Sequence, residues 1–333
     1  MSAPAVALQA IAAVQFPDYV AGIAWRPDSS MVAVACTDGS VHELLPHGGA
    51  SAPVQHHDGG ACAVAYAADG TLASAGEDGR VAVGPIPPQP AGSGWVERIA
   101  WSPDGALLAS AAGRRIGLRG HDGRLVAESD DLPATVECIA WSPAGDRLAA
   151  GGHGGVSILG RDAAPVSARV EWTGVVLEVE WAPDGRRLAC GMQDLSVWVW
   201  DAVADRAATM RGYARKVREL AWSADGRWLA TGGGRTGVAW RFDGPEPLPS
   251  EATGQVELRG HEKAITWAGF QPGGALLATA AEDGVAILWS LPGEAPLTGA
   301  TVGEEAVACA WSPDGTMLAI GGRTGRLAIF ALA

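Results

Sequence analysis

The sequence lacks any run of 18 or more apolar residues, which argues against a transmembrane helix. Basic charge is scarce. Only Lys216 and Lys263 among 24 basic side chains are lysines, 37 acidic residues oppose them, and the formal net charge is −13. With a pI near 4.9, that balance disfavours a dedicated nucleic-acid-binding protein. No Lys or Arg precedes Arg26, so the N-terminus lacks the positively charged start of a secretory signal. The five cysteines are odd in number and show no metal-ligand spacing. Together these absences lead to the expectation of a soluble cytoplasmic protein with reduced thiols. P-loop, GxSxG, HExxH and CxxC patterns are also missing, which removes the usual local signatures of nucleotide, acyl and metal chemistry.

What is present is a repeat. Hydrophobics at 48% suffice for a sizeable core, and 46 Gly with 21 Pro suit many short strands and turns. One phrase recurs: apolar–Ala–aromatic–x–Pro–Asp–Gly–x–x–Leu–Ala. Anchored on its aromatic, the copies fall at Trp25, Tyr66, Trp101, Trp141, Trp181, Trp222, Phe270 and Trp311, about 41 residues apart. These eight copies tile residues 1–333 and leave no spare domain.

Local signals agree within each copy. Val217 to Trp222 alternates apolar and polar residues up to the anchor, which is strand periodicity. Pro-Asp-Gly then turns the chain, because Pro presets φ and Gly tolerates positive φ. Leu276 to Ala280 reads as a small-residue second strand, Glu282-Asp283-Gly284 as a turn, and Val285 to Trp289 as a third strand. A weaker fourth strand completes a unit of the size of a β-propeller blade.

On these residues the chain resembles the WD40-repeat proteins. The seventh copy is fullest, with Gly260-His261, Asp283 and Trp289, and the fifth ends in Trp200-Asp201. His57 with Asp78, and His261 with Asp283 and Trp289, take the structural positions of the motif. Elsewhere Phe16, Gly92, Leu132, Trp172, Tyr213 and Val302 replace the His; Asp38 and Asp194 keep the turn Asp. The expected fold is therefore all-β, a single propeller of eight four-stranded blades, with seven as the alternative. The last copy ends after its third strand, so residues of about 6 to 16 are expected to supply its outer strand and close the ring.

Several groups invite a chemical reading. The pairs Gly151-Gly152, Gly232-Gly233 and Gly321-Gly322 read as sites where second strands crowd together. Cys36, Cys62, Cys138, Cys190 and Cys309 follow the repeat and read as buried small hydrophobes. His42, His47, His56 and His57 lie close in sequence; imidazoles can hold zinc, but His57 sits at the structural position, where it would bond to Asp78 or Ser74. No metal or cofactor is assigned. Arg211, Arg215, Lys216 and Arg218 form the one dense basic group, either a solvated edge or a dock for an acidic partner.

The resemblance implies that a partner binds the channel-mouth rim. The rim positions lie six and four residues before each anchor and just before the turn Asp. Read here, they give Tyr19, Glu77, Trp95, Glu97, Glu137, His153, Gln193, Lys216, Arg218 and Arg323, with Glu282 and Glu305. The set is acidic toward the second to fourth copies and basic around the sixth; its exposed Trp and Arg are typical interface anchors.

The expected function is a non-catalytic scaffold that docks a protein or peptide, with no nucleic acid and no membrane. Gly191-Met192-Gln193 and Met210 to Arg218 further resemble bacterial WD-repeat proteins whose genes neighbour CobW-type GTPases, which implies a role in zinc homeostasis beside such a GTPase. A catalytic propeller of hydrolase or lactonase type is a second class, with Glu97, Glu137 and His153 as its candidates. A structural subunit using its side wall is a third.

Overall fold

The computed structural model describes residues 6–49, 52–92, 94–167, 170–242 and 254–333. They form thirty strands and no helix among the described residues. Each copy folds as an antiparallel meander. In the seventh, Ile265–Phe270, Leu276–Ala281, Val285–Ser290 and Thr298–Thr301 lie side by side in chain order. The anchor-bearing strand comes first in every copy and runs from the rim down to a tight turn, Asp-Gly in most copies.

The strands make seven hydrogen-bonded sheets, six with four strands and one with six. This corrects the expectation of eight separate blades and agrees with the alternative of seven. The fourth and fifth copies are joined in one sheet through the 12-residue strand Val170–Trp181. Its first part pairs with Leu148–Leu159, as in His153↔Val175, and its second part with Arg187–Met192, from Val176↔Met192 to Trp181↔Leu188. The reason is local. Elsewhere a loop such as Gly260-His261-Glu262-Lys263 separates one copy's outer strand from the next copy's first. Here Trp172 takes the His position and β-favouring Val175 and Val176 carry the strand straight through.

Closure occurs as the sequence suggests. Leu8–Gln15 pairs antiparallel with Arg326–Leu332, from Leu8↔Leu332 to Gln15↔Arg326. Gln15 Nε2 also donates to the Thr324 carbonyl at 2.6 Å. The last sheet thereby gains an outer strand and no longer presents that edge.

Neighbouring copies interlock through the anchors. The indole N–H of Trp311 donates to Gly269 O at 3.0 Å, that of Trp222 to Glu180 O at 3.2 Å and that of Trp181 to Ala140 O at 3.2 Å. Trp141 donates to Ala100 O at 3.0 Å. Trp25 donates to Ala310 O at 3.0 Å, which links the first copy to the last. Trp101 departs from the rule: its Nε1 is buried without a hydrogen-bond partner among the described residues and its ring stacks on His121, 5.0 Å between centroids. Apolar clusters fill the spaces between sheets, for example Leu288, Trp311, Leu318 and Phe330. The glycine pairs permit this crowding. A Cβ on Gly321 would lie 2.4 Å from Val20 Cγ1 of the first copy.

One expected strand is shorter than read. Regular ladder pairing is confined to Leu220–Trp222, although Glu219 O still accepts the Gly232 N–H at 3.0 Å. Val217 N–H instead donates to Met192 O of the fifth copy, and the Glu219 carboxylate takes the N–H of Gly233.

Candidate functional site

The rim is built by a recurring irregularity. In seven copies the first strand shifts register against the second at one place: Val20/Gly22, Ala61/Ala63, Val96/Arg98, Val136/Cys138, Val176/Glu178, Ile265/Trp267 and Ala306/Ala308. The skipped residue lies four before the anchor. A bulge of this kind frees one residue from the ladder and re-aims its side chain. It therefore presents Glu97 and Glu137, two of the residues singled out from sequence.

Trp95 stands at the start of its strand and is 57% exposed, so it is not buried between sheets. Glu97, His153, Gln193, Lys216 and Arg323 are exposed; Tyr19, Glu77, Glu137 and Arg218 are half-buried. The structure brings some of them together. Arg323 Nη1 lies 3.0 Å from both Glu305 carboxylate oxygens. The Tyr19 phenol beside them has its pKa raised by burial, against Arg323, with Glu305 a smaller raising influence. Arg215 pairs with Glu282 at 3.0 Å, joining the sixth and seventh copies. The basic group around the sixth copy is thus partly neutralised. Glu77 folds over the opposite loop and accepts the Gly60 N–H at 3.3 Å. Arg218 is not a rim side chain in the simple sense, since it lines a cavity inside the channel.

Beneath the rim lie the structural networks. His57 Nδ1 is 3.0 Å from Asp78 Oδ1, and its Nε2 is 2.7 Å from Ser74 Oγ. His261 Nδ1 is 3.1 Å from Asp283 Oδ2, its Nε2 2.9 Å from Thr279 Oγ1, and the Trp289 indole donates to the same hydroxyl at 2.9 Å. Burial holds His261 below the ordinary imidazole range, more strongly than Asp283 raises it. Where the His is missing, other residues take over. Tyr213 OH meets Thr231 Oγ1 at 2.9 Å and accepts the Trp240 indole N–H at 2.8 Å. Phe16 packs on His42 at 4.9 Å. In the last copy Thr324 stands where others have Asp, and Glu304 reaches across to accept the N–H groups of Thr324 and Arg326, both at 3.1 Å. Asp201 is fully buried; the Arg186 hydrogen bond, 2.9 Å to each carboxylate oxygen, holds its carboxyl down at about 2.

The first-copy histidines do not form one group. His42 and His57 are buried in different networks, while His47 and His56 are exposed. Among the described residues no three His, Cys, Asp or Glu side chains come together as a metal site. Four cysteines are buried, but Cys62 is only half-buried, which corrects the uniform reading. Burial pushes the thiols up, to about 12 for Cys36 and about 11 for Cys62. All five are thereby disfavoured as thiolates.

Sequence reasoning passed over the channel wall. Counting back one residue from the anchors gives Ala24, Ala65, Ala100, Ala140, Glu180, Ala221, Gly269 and Ala310. Glu180 is the exception, and that anomaly was visible in the repeat. With Glu178, Arg218, Glu219, Thr266 and Trp267 it lines a cavity of about 220 Å³ between the fifth, sixth and seventh copies. Burial pushes the Glu180 carboxyl up to about 8 and that of Glu178 to about 7, the latter against the pull of Arg98. Glu219 is raised for the same reason.

Comparison with known families agrees with this architecture. The WD domain, G-beta repeat matches residues 89–126, 118–158, 169–201, 205–241 and 253–290, more than half of the chain. No curated protein matches the chain. The match includes the His261–Asp283–Thr279 network, and the chain belongs to the WD domain, G-beta repeat (WD40) family.

Proposed function

We propose that this propeller is a non-catalytic scaffold whose rim docks a protein or peptide. The observation that carries the reading is Trp95. A large indole, 57% exposed, stands on a rigid strand start within two residues of Glu97, and the next copy presents Glu137 from the equivalent bulge. An exposed aromatic beside fixed carboxylates suits a partner with apolar and basic side chains. Lys216 and the Arg323–Glu305 pair supply charge on the other side. Rim docking is common in this family, and fold alone does not name the partner. The GTPase neighbour implied by the narrower resemblance is one candidate; the separated histidines lend no support to zinc held in the first copy.

The test is capture of partners from the native cell by wild type, by Trp95→Ala with Lys216→Glu, and by a side-wall control, Leu125→Glu. Loss in the rim variant with retention in the control is the expected result. Loss only in the side-wall variant overturns the reading and favours a structural subunit. A hydrolase activity lost with Glu137→Gln or His153→Ala would instead establish the catalytic class.

A further inference from the structure

The channel-wall cavity holds three carboxyl groups that nothing in the fold requires. At the Glu180 position seven other copies carry Ala or Gly. The hydrogen bonds these carboxylates accept all come from backbone N–H groups and are long: Val179 to Glu178 at 3.2 Å, Trp222 to Glu180 at 3.3 Å, Arg218 to Glu219 at 3.4 Å and Gly233 to Glu219 at 3.2 Å. Glu180 Oε2 is wholly buried and has no hydrogen-bond partner among the described residues. A buried carboxylate oxygen left without a donor is costly, so it persists where something else satisfies it. Arg218 lines the same cavity and Arg98 faces Glu178, yet neither forms an ion pair within 4 Å with these groups among the described residues.

A second feature is independent of the acids. Trp267 lines the cavity, packs against the apolar cluster between the seventh and last sheets, and lays its ring along its own strand over Gly269. A Cβ on Gly269 would sit 2.4 Å from Trp267 Cζ2 and 2.5 Å from Cη2. Glycine at 269 is what lets the indole lie flat there. An indole surface beside carboxylates is the arrangement that attracts an organic cation, through the ring quadrupole and charge-assisted hydrogen bonds.

We propose that this cavity takes the charged end of an alkylammonium or guanidinium group, seated against Trp267 and hydrogen-bonded to Glu180 and Glu178. The group comes either from a Lys or Arg side chain of a docked segment or from a free small amine; the first source rests on the rim-docking reading, the second does not. A cation entering the cavity favours the ionised carboxylates, so its binding releases protons near neutral pH. The charged and titratable groups facing Glu178 are Arg98, Arg218, Glu219 and the Cys138 and Cys190 thiols, and Glu178 in turn faces Glu180.

The experiment titrates the full chain at pH 7.0 with n-butylammonium, n-butylguanidinium and a capped glycine pentapeptide bearing one central lysine, followed by calorimetry and the Trp267 indole N–H resonance. Glu180→Ala is the key variant, since it restores the residue most copies carry and should fold normally. Expected are a shift of the Trp267 signal on binding, affinity about tenfold weaker in Glu180→Ala, and proton release in wild type. Tighter binding of the peptide than of the amine, with the gain lost in Trp95→Ala, assigns the cation to a docked segment. Equal binding, indifferent to Trp95→Ala, assigns it to a free amine even if rim docking fails. Binding of none of the three probes, or equal binding to wild type and Glu180→Ala, overturns the proposal while leaving rim docking untouched.

Discussion

Two aspartates at the same repeat position should differ sharply in worth. Asp283 accepts the N–H of Glu262 at 2.8 Å and of Val285 at 3.0 Å, and meets His261 Nδ1 at 3.1 Å. The His261 side chain is 0% exposed, so Asp283→Ala strands a buried ring nitrogen. That alone costs ~1–3 kcal/mol, and the two backbone bonds, near enough to the surface to find water, add ~0.5–1.5 kcal/mol each at most. A total of ~2–6 kcal/mol follows, toward the lower end because the two backbone groups find water. Asp194 occupies an exposed turn with Trp172 at the His position, and its side chain accepts the Ser196 hydroxyl. Asp194→Ala should cost below ~1 kcal/mol. Because His261 is held below its usual range it is neutral at pH 7, so the Asp283 contact there is a hydrogen bond with a neutral ring, and Asp283→Asn should recover part of the loss. Urea midpoints at constant slope give the comparison, and hydrogen exchange of Leu276–Ala281 and Val285–Ser290 localises it. Equal costs for the two alanine variants would refute the argument that the His network, rather than the turn, makes this position matter.

Three further outcomes follow from the same structure. Removing residues 1–15 strips the outer strand from Arg326–Leu332 and should produce association visible by light scattering; a monodisperse product with an unchanged midpoint would contradict the closure. Gly321→Ala should cost ~1–3 kcal/mol, because its methyl group meets Val20 across the joint between last and first copies; a neutral result would mean that joint is slack. The raised Glu180 carboxyl makes the pH dependence run opposite to the usual carboxylate. Below the ordinary 4.5 both states hold the proton; from there to about 8 only the folded state does, so stability falls as pH rises through that window. Glu180→Ala should flatten that fall between pH 5 and 8 and raise the midpoint at pH 9; an unchanged slope would place this carboxyl in free contact with water.

The fold was legible because the repeat states it eight times, and each copy carries turn residues with a physical reason to be there. The sheet count was less so. Anchors mark first strands, whereas the joining of the fourth and fifth copies depends on Val175 and Val176 continuing an extended chain across a place where other copies carry loop residues. The rim was legible in position, since Trp95, Glu97 and Glu137 stand where counting from the anchors puts them. Their partners were not: Arg215 with Glu282 joins residues 67 apart, and only the curvature of the ring brings them together.

The departures from the motif carry different messages. Tyr213 for His, Phe16 for His and Glu304 for the missing turn Asp each solve a local problem of burial or hydrogen bonding, and each is satisfied. The networks vary because ladder bonds recur in every copy, and the anchor indole-to-carbonyl links are donated by copies without the His, whereas the His57 and His261 copies are anchored on Tyr66 and Phe270. Glu180 is a departure of another kind. It replaces a small residue that would cause no difficulty and leaves a buried oxygen without a donor among the described residues. Local rules are broken without local compensation where function requires it. In this propeller that criterion separates the sixth-copy tyrosine, which is architecture, from the fifth-copy glutamate, which is a binding determinant.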